Sequence, residues 1–268
     1  MNRFSALIVT GLILAVFSSN ASAALVAHWS FDNTADPGHD DASNGHNGTR
    51  VGNPTSTTGL WGNAVNLDGA SYIDVADALD LNPTSQITIT AWFKADSFAL
   101  GTYSWPHIVD KCGSPDPSGY FMAIVQVSQN NPCVGFAVDG VGGVPTGTDL
   151  GEPNLTPGTW YFAAGVYNGS AVTVYVGSAE QLPLVATSEN YSGNMVSSSN
   201  NLNIGRDASF PSSPERFFDG AIDEVRIYNT ALDSTVINDL YLYNTPEPAT
   251  ILLLGLGGLA VLRKRRLN

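Results

Sequence analysis

Hydrophobic and polar positions alternate along most of this chain with a period of two. Ile87, Ile89, Ala91 and Phe93 interleave with Thr88, Thr90, Trp92 and Lys94, which puts one set on a core face and the other on the opposite face of a strand. Trp160, Phe162, Ala164 and Val166 repeat the pattern, as do Val172, Val174 and Val176. Asn168-Gly169 between them favours a tight hairpin turn, because both residues tolerate positive φ. Further strands are expected at Leu25 to Asp32, Ala64 to Asp68, Tyr72 to Val75, Ile108 to Lys111, Tyr120 to Val127, Val134 to Val138, Leu202 to Gly205 and Phe217 to Tyr228. The one helix expected before residue 244 is a turn or two at Ser234 to Leu240, capped by Asp233 or Ser234. Many short strands with turn signals between them predict an all-β domain, a two-sheet sandwich or a barrel.

The pattern breaks at both ends. At the start, Arg3 supplies a positive charge, Ala6 to Phe17 an apolar stretch and Ala21-Ser22-Ala23 a small-x-small site. This order predicts a signal peptide over residues 1–23, cleaved between Ala23 and Ala24. At the other end, residues 245–268 hold a TPEPAT turn, an apolar run from Ile251 to Leu262 and four cations, Arg263, Lys264, Arg265 and Arg266. The 14 residues from Ala249 to Leu262 rise about 21 Å as a helix, short of a hydrocarbon core of about 30 Å. Such a short hydrophobic helix can stop in a membrane but spans it poorly, with its cations on the cytoplasmic side. A buried core helix fits less well, since the run is apolar all round and ends in consecutive charges.

That tail resembles bacterial PEP-CTERM sorting signals, which join a Pro-Glu-Pro triplet, one hydrophobic helix and a few positive charges. The resemblance implies an exosortase-type protease that recognises Pro246, Glu247 and Pro248. It also implies transient insertion in the inner membrane, with release to the cell surface or extracellular matrix.

Between the two ends lies one domain, residues 24–243. Setting aside Arg3, the four terminal cations and Glu247 leaves six basic and 23 acidic residues, a net charge of −17. A surface of that sign repels nucleic acid and disfavours self-association, so a monomer is expected.

LVAHWSFDN, DASNGHNGT, GNAVNLDGASYIDV, ITITAWFKAD, HIVDK, TPGTWYFAAGVYNGSAVTVYVG, LNIGRD and FFDGAIDEVRIYNTAL together resemble the successive blocks of a LamG-like domain of the concanavalin A-like lectin/glucanase superfamily. The resemblance implies an antiparallel two-sheet jelly-roll sandwich. Sugar-binding modules, adhesion modules and glycosidases all occur on it, and fold does not choose among them. Retaining glucanases of this fold carry an E-x-D-x-x-E strand pattern that this chain lacks, and Asp223-Glu224, as strand neighbours, should point to opposite faces. No G-x-S-x-G elbow or Cys/His zinc spacing is present, and His28, His39, His46 and His107 are scattered. No catalytic residue is assigned. The expected function is non-catalytic binding of an extracellular glycan or surface protein; the alternative is a glycoside hydrolase with an unrecognised site.

Asp36 to His46 reads DPGHDDASNGH, a loop crowded with the oxygen donors that Ca²⁺ prefers, though not an EF-hand. The LamG resemblance implies a structural calcium held by Asp32, Asp41, Asn44, the carbonyl of His46 and Asp223. Asp223 also has an argument of its own, since strand parity places it beside Val225 and Ile227. A core-facing carboxylate needs a cation or several donors, and the alternative is a strand cap bonded to backbone amides after Gly220.

Two readings stay open. Export favours a bridge between Cys112 and Cys133, the only two cysteines, yet in a meander they fall at opposite ends of the sheet, beyond the roughly 7 Å limit for Cα atoms. Tyr103 and Trp105 lie in a loop and either stack on a sugar ring or cover the sandwich edge.

Overall fold

In a computed structural model, which describes residues 25–98, 105–113, 118–126, 132–138, 155–210, 212–213 and 216–243, the chain is a sandwich of two antiparallel sheets. Fourteen strands are described: β1 Leu25–Trp29, β2 Gly48–Val51, β3 Thr55–Thr58, β4 Asn63–Asp68, β5 Tyr72–Val75, β6 Ile87–Ala95, β7 His107–Asp110, β8 Tyr120–Gln126, β9 Pro132–Val138, β10 Tyr161–Tyr167, β11 Ala171–Ser178, β12 Gln181–Asn190, β13 Leu202–Ile204 and β14 Asp219–Tyr228. A single helix follows, α1 at Ser234–Tyr243. The larger sheet runs β12-β11-β10-β6-β14-β4-β3, with β1 also on β14, and the smaller runs β2-β5-β13-β7-β8-β9.

Alternation works as the sequence implies. Ile87, Ile89, Ala91 and Phe93 of β6 enter the core between the sheets, where Met122 and Ile124 of β8 and Val134 and Phe136 of β9 meet them. The opposite faces are also covered. Trp92, Phe162, Ala164 and Val166 pack outside the larger sheet under Ile237, Leu240 and Tyr241 of α1, residues spaced to form one helix face. Asp233 caps that helix by accepting hydrogen bonds from the amides of Thr235 and Val236. Outside the smaller sheet, Cys112, Phe121, Ala123 and Ala137 form a second, smaller apolar patch.

Three strands escaped the sequence reading, and each lacks apolar alternation. β2 (GTRV) and β3 (TSTT) are short, mostly exposed edge strands, and β12 (QLPLVATSEN) is the far edge of the larger sheet. Edge strands carry little core signal. The hairpin at Asn168-Gly169 is wider than a two-residue turn, since Tyr167 pairs with Val172. The Asn168 side chain closes it by accepting from the amides of Ser170 and Ala171, while Gly169 sits at φ 90°.

Cys112 and Cys133 are both buried and no disulfide joins them. Cys133 pairs with Val125 near one end of β8, whereas Cys112 follows Lys111, whose amide bonds Tyr120 at the other end. Five residues of strand, about 3.3 Å each, separate the two positions.

Candidate functional site

The larger sheet contains a built-in gap. One edge of β14 pairs with β4 through Asp219 to Ile222 and with β1 through Val225 to Tyr228. Between them the register shifts against β6 from Asp223 to Arg226, and Glu224 adopts φ 54°. This bulge resets the alternation. Ile222, Val225 and Ile227 face the core, so Asp223 lies on the outer side, in register with Trp92. The parity expected for Asp223, alongside Val225 and Ile227, is thereby corrected. Glu224 is not on the opposite face either: it meets His28 and Arg226 at 2.8 and 2.5 Å, and those two are paired across β1 and β14.

The end of β1 and the approach to β4 converge on this gap. Asp32, just after β1, accepts a 2.7 Å hydrogen bond from the Asn63 amide, and Asp223 Oδ2 accepts one of 3.1 Å from Leu60. Trp61 stacks edge-on against Trp92 and holds the 59–63 loop over Asp223. Glycine is needed here, because a Cβ on Gly59 would collide with Asp223 Oδ2 and one on Gly62 with Asp32 Oδ1.

Asp223 is fully buried, and its Oδ1 has no hydrogen-bond partner among the described residues. Burial, then the neighbouring Glu224 and, after the opposing amides of Leu60 and Trp61, Asp32 push its pKa up to about 8. An orphaned carboxylate oxygen beside a second carboxylate is an all-oxygen donor set that fits a hard divalent cation.

The remaining residues expected at a metal have hydrogen-bond partners of their own. Asp41 accepts from the amide and hydroxyl of Ser30, Asn44 donates to the carbonyls of Leu25 and Val26, and the His46 carbonyl accepts from the Trp29 indole. Their loop is organised by Asp40, which accepts from the amides of His28, Ala42, Asn44 and His46. Asp32 and Asp223 therefore meet at the 59–63 loop, while Asp41, Asn44 and His46 are tied to β1 and to Ser30 just after it.

A second cluster stands outside the smaller sheet and went unnoticed in the sequence, apart from Trp105. A bulge in β7 between His107 and Val109 leaves Ile108 and Val109 in the core. His107 stacks on Phe121, and its Nδ1 bonds Asp110 Oδ2 at 2.7 Å. Asp207, following β13, bonds the Arg216 guanidinium at 2.8 Å. That guanidinium lies 5.3 Å from the Trp105 ring and 4.5 Å from Phe210, and Phe210 is 49% exposed. The i,i+3 spacing of His107 and Asp110 was the available signal, but only a bulged strand aligns such a pair.

Tyr103 lies outside the described residues, as do Ala23, Ala24, Pro246, Glu247, Pro248, Ile251, Leu262, Arg263, Lys264, Arg265 and Arg266. Among the described residues no helix is long and apolar enough to cross a membrane.

Comparison with known proteins agrees with this architecture. The chain belongs to the concanavalin A-like lectin/glucanases superfamily, whose family description matches residues 67–238. Residues 244–266 match the PEP-CTERM protein-sorting motif. No match is found among curated proteins. Domain 4 of AbnA, a GH43 extracellular arabinanase from Geobacillus stearothermophilus solved in complex with arabinotriose, is similar at 24% identity and TM-score 0.57, covering 82% of this chain and 98% of that one. The botulinum neurotoxin serotype G binding domain is similar at 12% identity and TM-score 0.52, over 81% of this chain and 50% of that one. A Trypanosoma rangeli sialidase is similar at 15% identity and TM-score 0.52, over 82% of this chain and 33% of that one. At these identities the likeness is one of fold, and the fold serves hydrolases and binding domains alike. The sorting motif supports an exported, surface-associated protein processed by exosortase-type machinery.

Proposed function

We propose that this is a non-catalytic binding protein of the extracellular polysaccharide, held in the inner membrane by its tail until processed, then released. The observation that carries this reading is the shelf of Trp105, Arg216 and Phe210 on the smaller sheet. An exposed ring beside an oriented guanidinium offers a stacking face and hydrogen-bond donors, the pairing that sugar recognition uses. Asp207 fixes the guanidinium, and its own Oδ1 is fixed by the amides of Ser209 and Phe210.

The gap between β1 and β4 supports the non-catalytic reading. Asp223 and Glu224 do share one side, but both are buried, Asp223 against the 59–63 loop, and Glu224 is bound to His28 and Arg226. A retaining glycosidase needs two carboxylates about 5 Å apart that reach a sugar. Calcium is proposed here instead, with Asp32 and Asp223 as its carboxylates. It would join the start of the domain to its last strand and stabilise the fold.

Purified protein incubated with a polysaccharide panel tests the function, with arabino-oligosaccharides among the first members because of the ligand in the arabinanase domain. Retention without new reducing ends is expected, weakened about fivefold by Phe210→Ala, since a stacking contact is worth about 1 kcal/mol. New reducing ends would favour a hydrolase. Retention unchanged by Phe210→Ala and Trp105→Ala would remove the shelf from the binding site.

A further inference from the structure

We propose that the outer face of the smaller sheet holds a second metal site, for a transition-metal dication of the zinc class, between His107 Nε2 and Asp207 Oδ2. The reason is a conflict of lone pairs. Asp110 Oδ2 can only accept, so the 2.7 Å contact requires that His107 Nδ1 carry the proton. The other ring nitrogen of a neutral imidazole is then an acceptor, and it faces Asp207 Oδ2, a second acceptor, at 3.5 Å. No hydrogen-bond donor reaches Nε2 among the described residues, although His107 is only 2% exposed. Something positive belongs between the two atoms.

The separation selects what it is. An N–H···O bond spans about 2.7–3.2 Å, whereas two ligands about 2.0–2.1 Å from a tetrahedral ion stand about 3.4 Å apart. Imidazole with carboxylate suits zinc better than calcium. Asp110 behind the ring completes the carboxylate–histidine–metal arrangement that fixes tautomer and orientation, and it is itself held by the amides of Cys112 and Ala208. His107, Asp110 and Asp207 offer ligand atoms all within 4.8 Å of one another. Among the described residues, the one guanidinium bonded to these two buried carboxylates is that of Arg216, on Asp207 Oδ2. The remaining lone pair of that oxygen is the one offered to the ion. Since Arg216 also carries Trp105 and Phe210, the ion would stiffen the shelf from beneath, but the site stands whether or not the shelf binds a glycan.

Titration of the metal-stripped, full-length chain with cobalt(II) tests the site. One equivalent should give the strong visible absorption of a four-coordinate ion, displaced by zinc and not by calcium. Asp110→Asn should weaken binding about 10- to 100-fold, His107→Gln should abolish the band, and Asp223→Asn should leave it intact. If His107→Gln fails to fold, the ring ¹⁵N shifts of His107 in the native chain decide, moving on zinc addition if the assignment holds. Folded protein that takes up no cobalt, or a band that survives His107→Gln, overturns the proposal. A His107 ring with both nitrogens protonated in zinc-treated protein also overturns it, because a proton then fills the place assigned to the metal.

Discussion

Asp40 and Asp223 are both buried carboxylates, 1% and 0% exposed, and the chain treats their oxygens in opposite ways. Asp40 sits inside a loop that curls around it and gives three backbone amides, with a fourth from His28 of β1. Asp223 sits in a break between strands, where two amides reach one oxygen and none reaches the other. A loop can turn its amides inward because its backbone is not committed to a ladder. A strand flanked on both edges has few amides to spare, since they are committed to its neighbours, and His28 can lend one because among the described residues β1 pairs along one edge, with β14. An acid in a loop can thus be satisfied by the chain itself, and an acid in a sheet gap calls for a cation.

The sharpest way to break this comparison is to remove Asp40. Asp40→Ala orphans amides at costs of about 1–3 kcal/mol for each that stays buried, for an expected loss of about 3–5 kcal/mol. Melting should fall by about 10 °C or more, and calcium should not restore it. A loss rescued by calcium would mean that the loop is a cation site after all.

The next effect is the calcium response of Asp223. Its carboxyl has a pKa of about 8 in the folded chain against 3.8 when free, so in chelator the stability it contributes is complete below about pH 4 and lost as pH rises toward about 8. At about 1.4 kcal/mol per unit, the loss is several kcal/mol. Calcium favours the ionised form, so its benefit should grow across the same window, reaching about 2.7 kcal/mol at a hundredfold excess over its dissociation constant. Asp223→Asn should flatten the profile and remove the benefit. Thermal melts at several pH values, with calcium and with chelator, measure both. A profile of equal slope in native and Asp223→Asn protein would return Asp223 to the role of a strand cap. Glu224→Gln is no control, because Glu224 contributes to the elevated pKa of Asp223 and anchors Arg226.

How much of this was legible in the sequence follows from what alternation encodes. Period-two patterns located β6, β10, β11 and β14 and predicted a sandwich or a barrel, and the LamG resemblance pointed to the two-sheet jelly roll. Alternation says nothing about where it fails, and both sites stand at failures. The bulge at Asp223 to Arg226 moves Asp223 out of the core and brings Glu224 to its side, and the bulge in β7 sets His107 beside Asp110. The loop at Asp36 to His46 is hard to read for a related reason. Its composition announces oxygen atoms but not their occupants, and Asp40, the residue that organises it, was passed over for Asp41 next door.

Asp41 supplies the smallest effect and the most discriminating one. It is exposed, and its Oδ2 accepts from the amide and hydroxyl of Ser30 at 3.0 and 2.7 Å. An asparagine can offer its carbonyl oxygen to the same two donors, so Asp41→Asn removes a charge while keeping the hydrogen bonds. At the surface such a change is expected to cost less than about 1 kcal/mol. The calcium increment in melting temperature should therefore equal that of the native protein, even though the residue lies in the most acidic stretch of the chain. Were Asp41 a ligand, losing its charge would cut the increment much as Asp223→Asn does. Equal loss in both variants would place one ion across loop and gap together, and would abolish the distinction between an acid satisfied by its own backbone and an acid waiting for a cation.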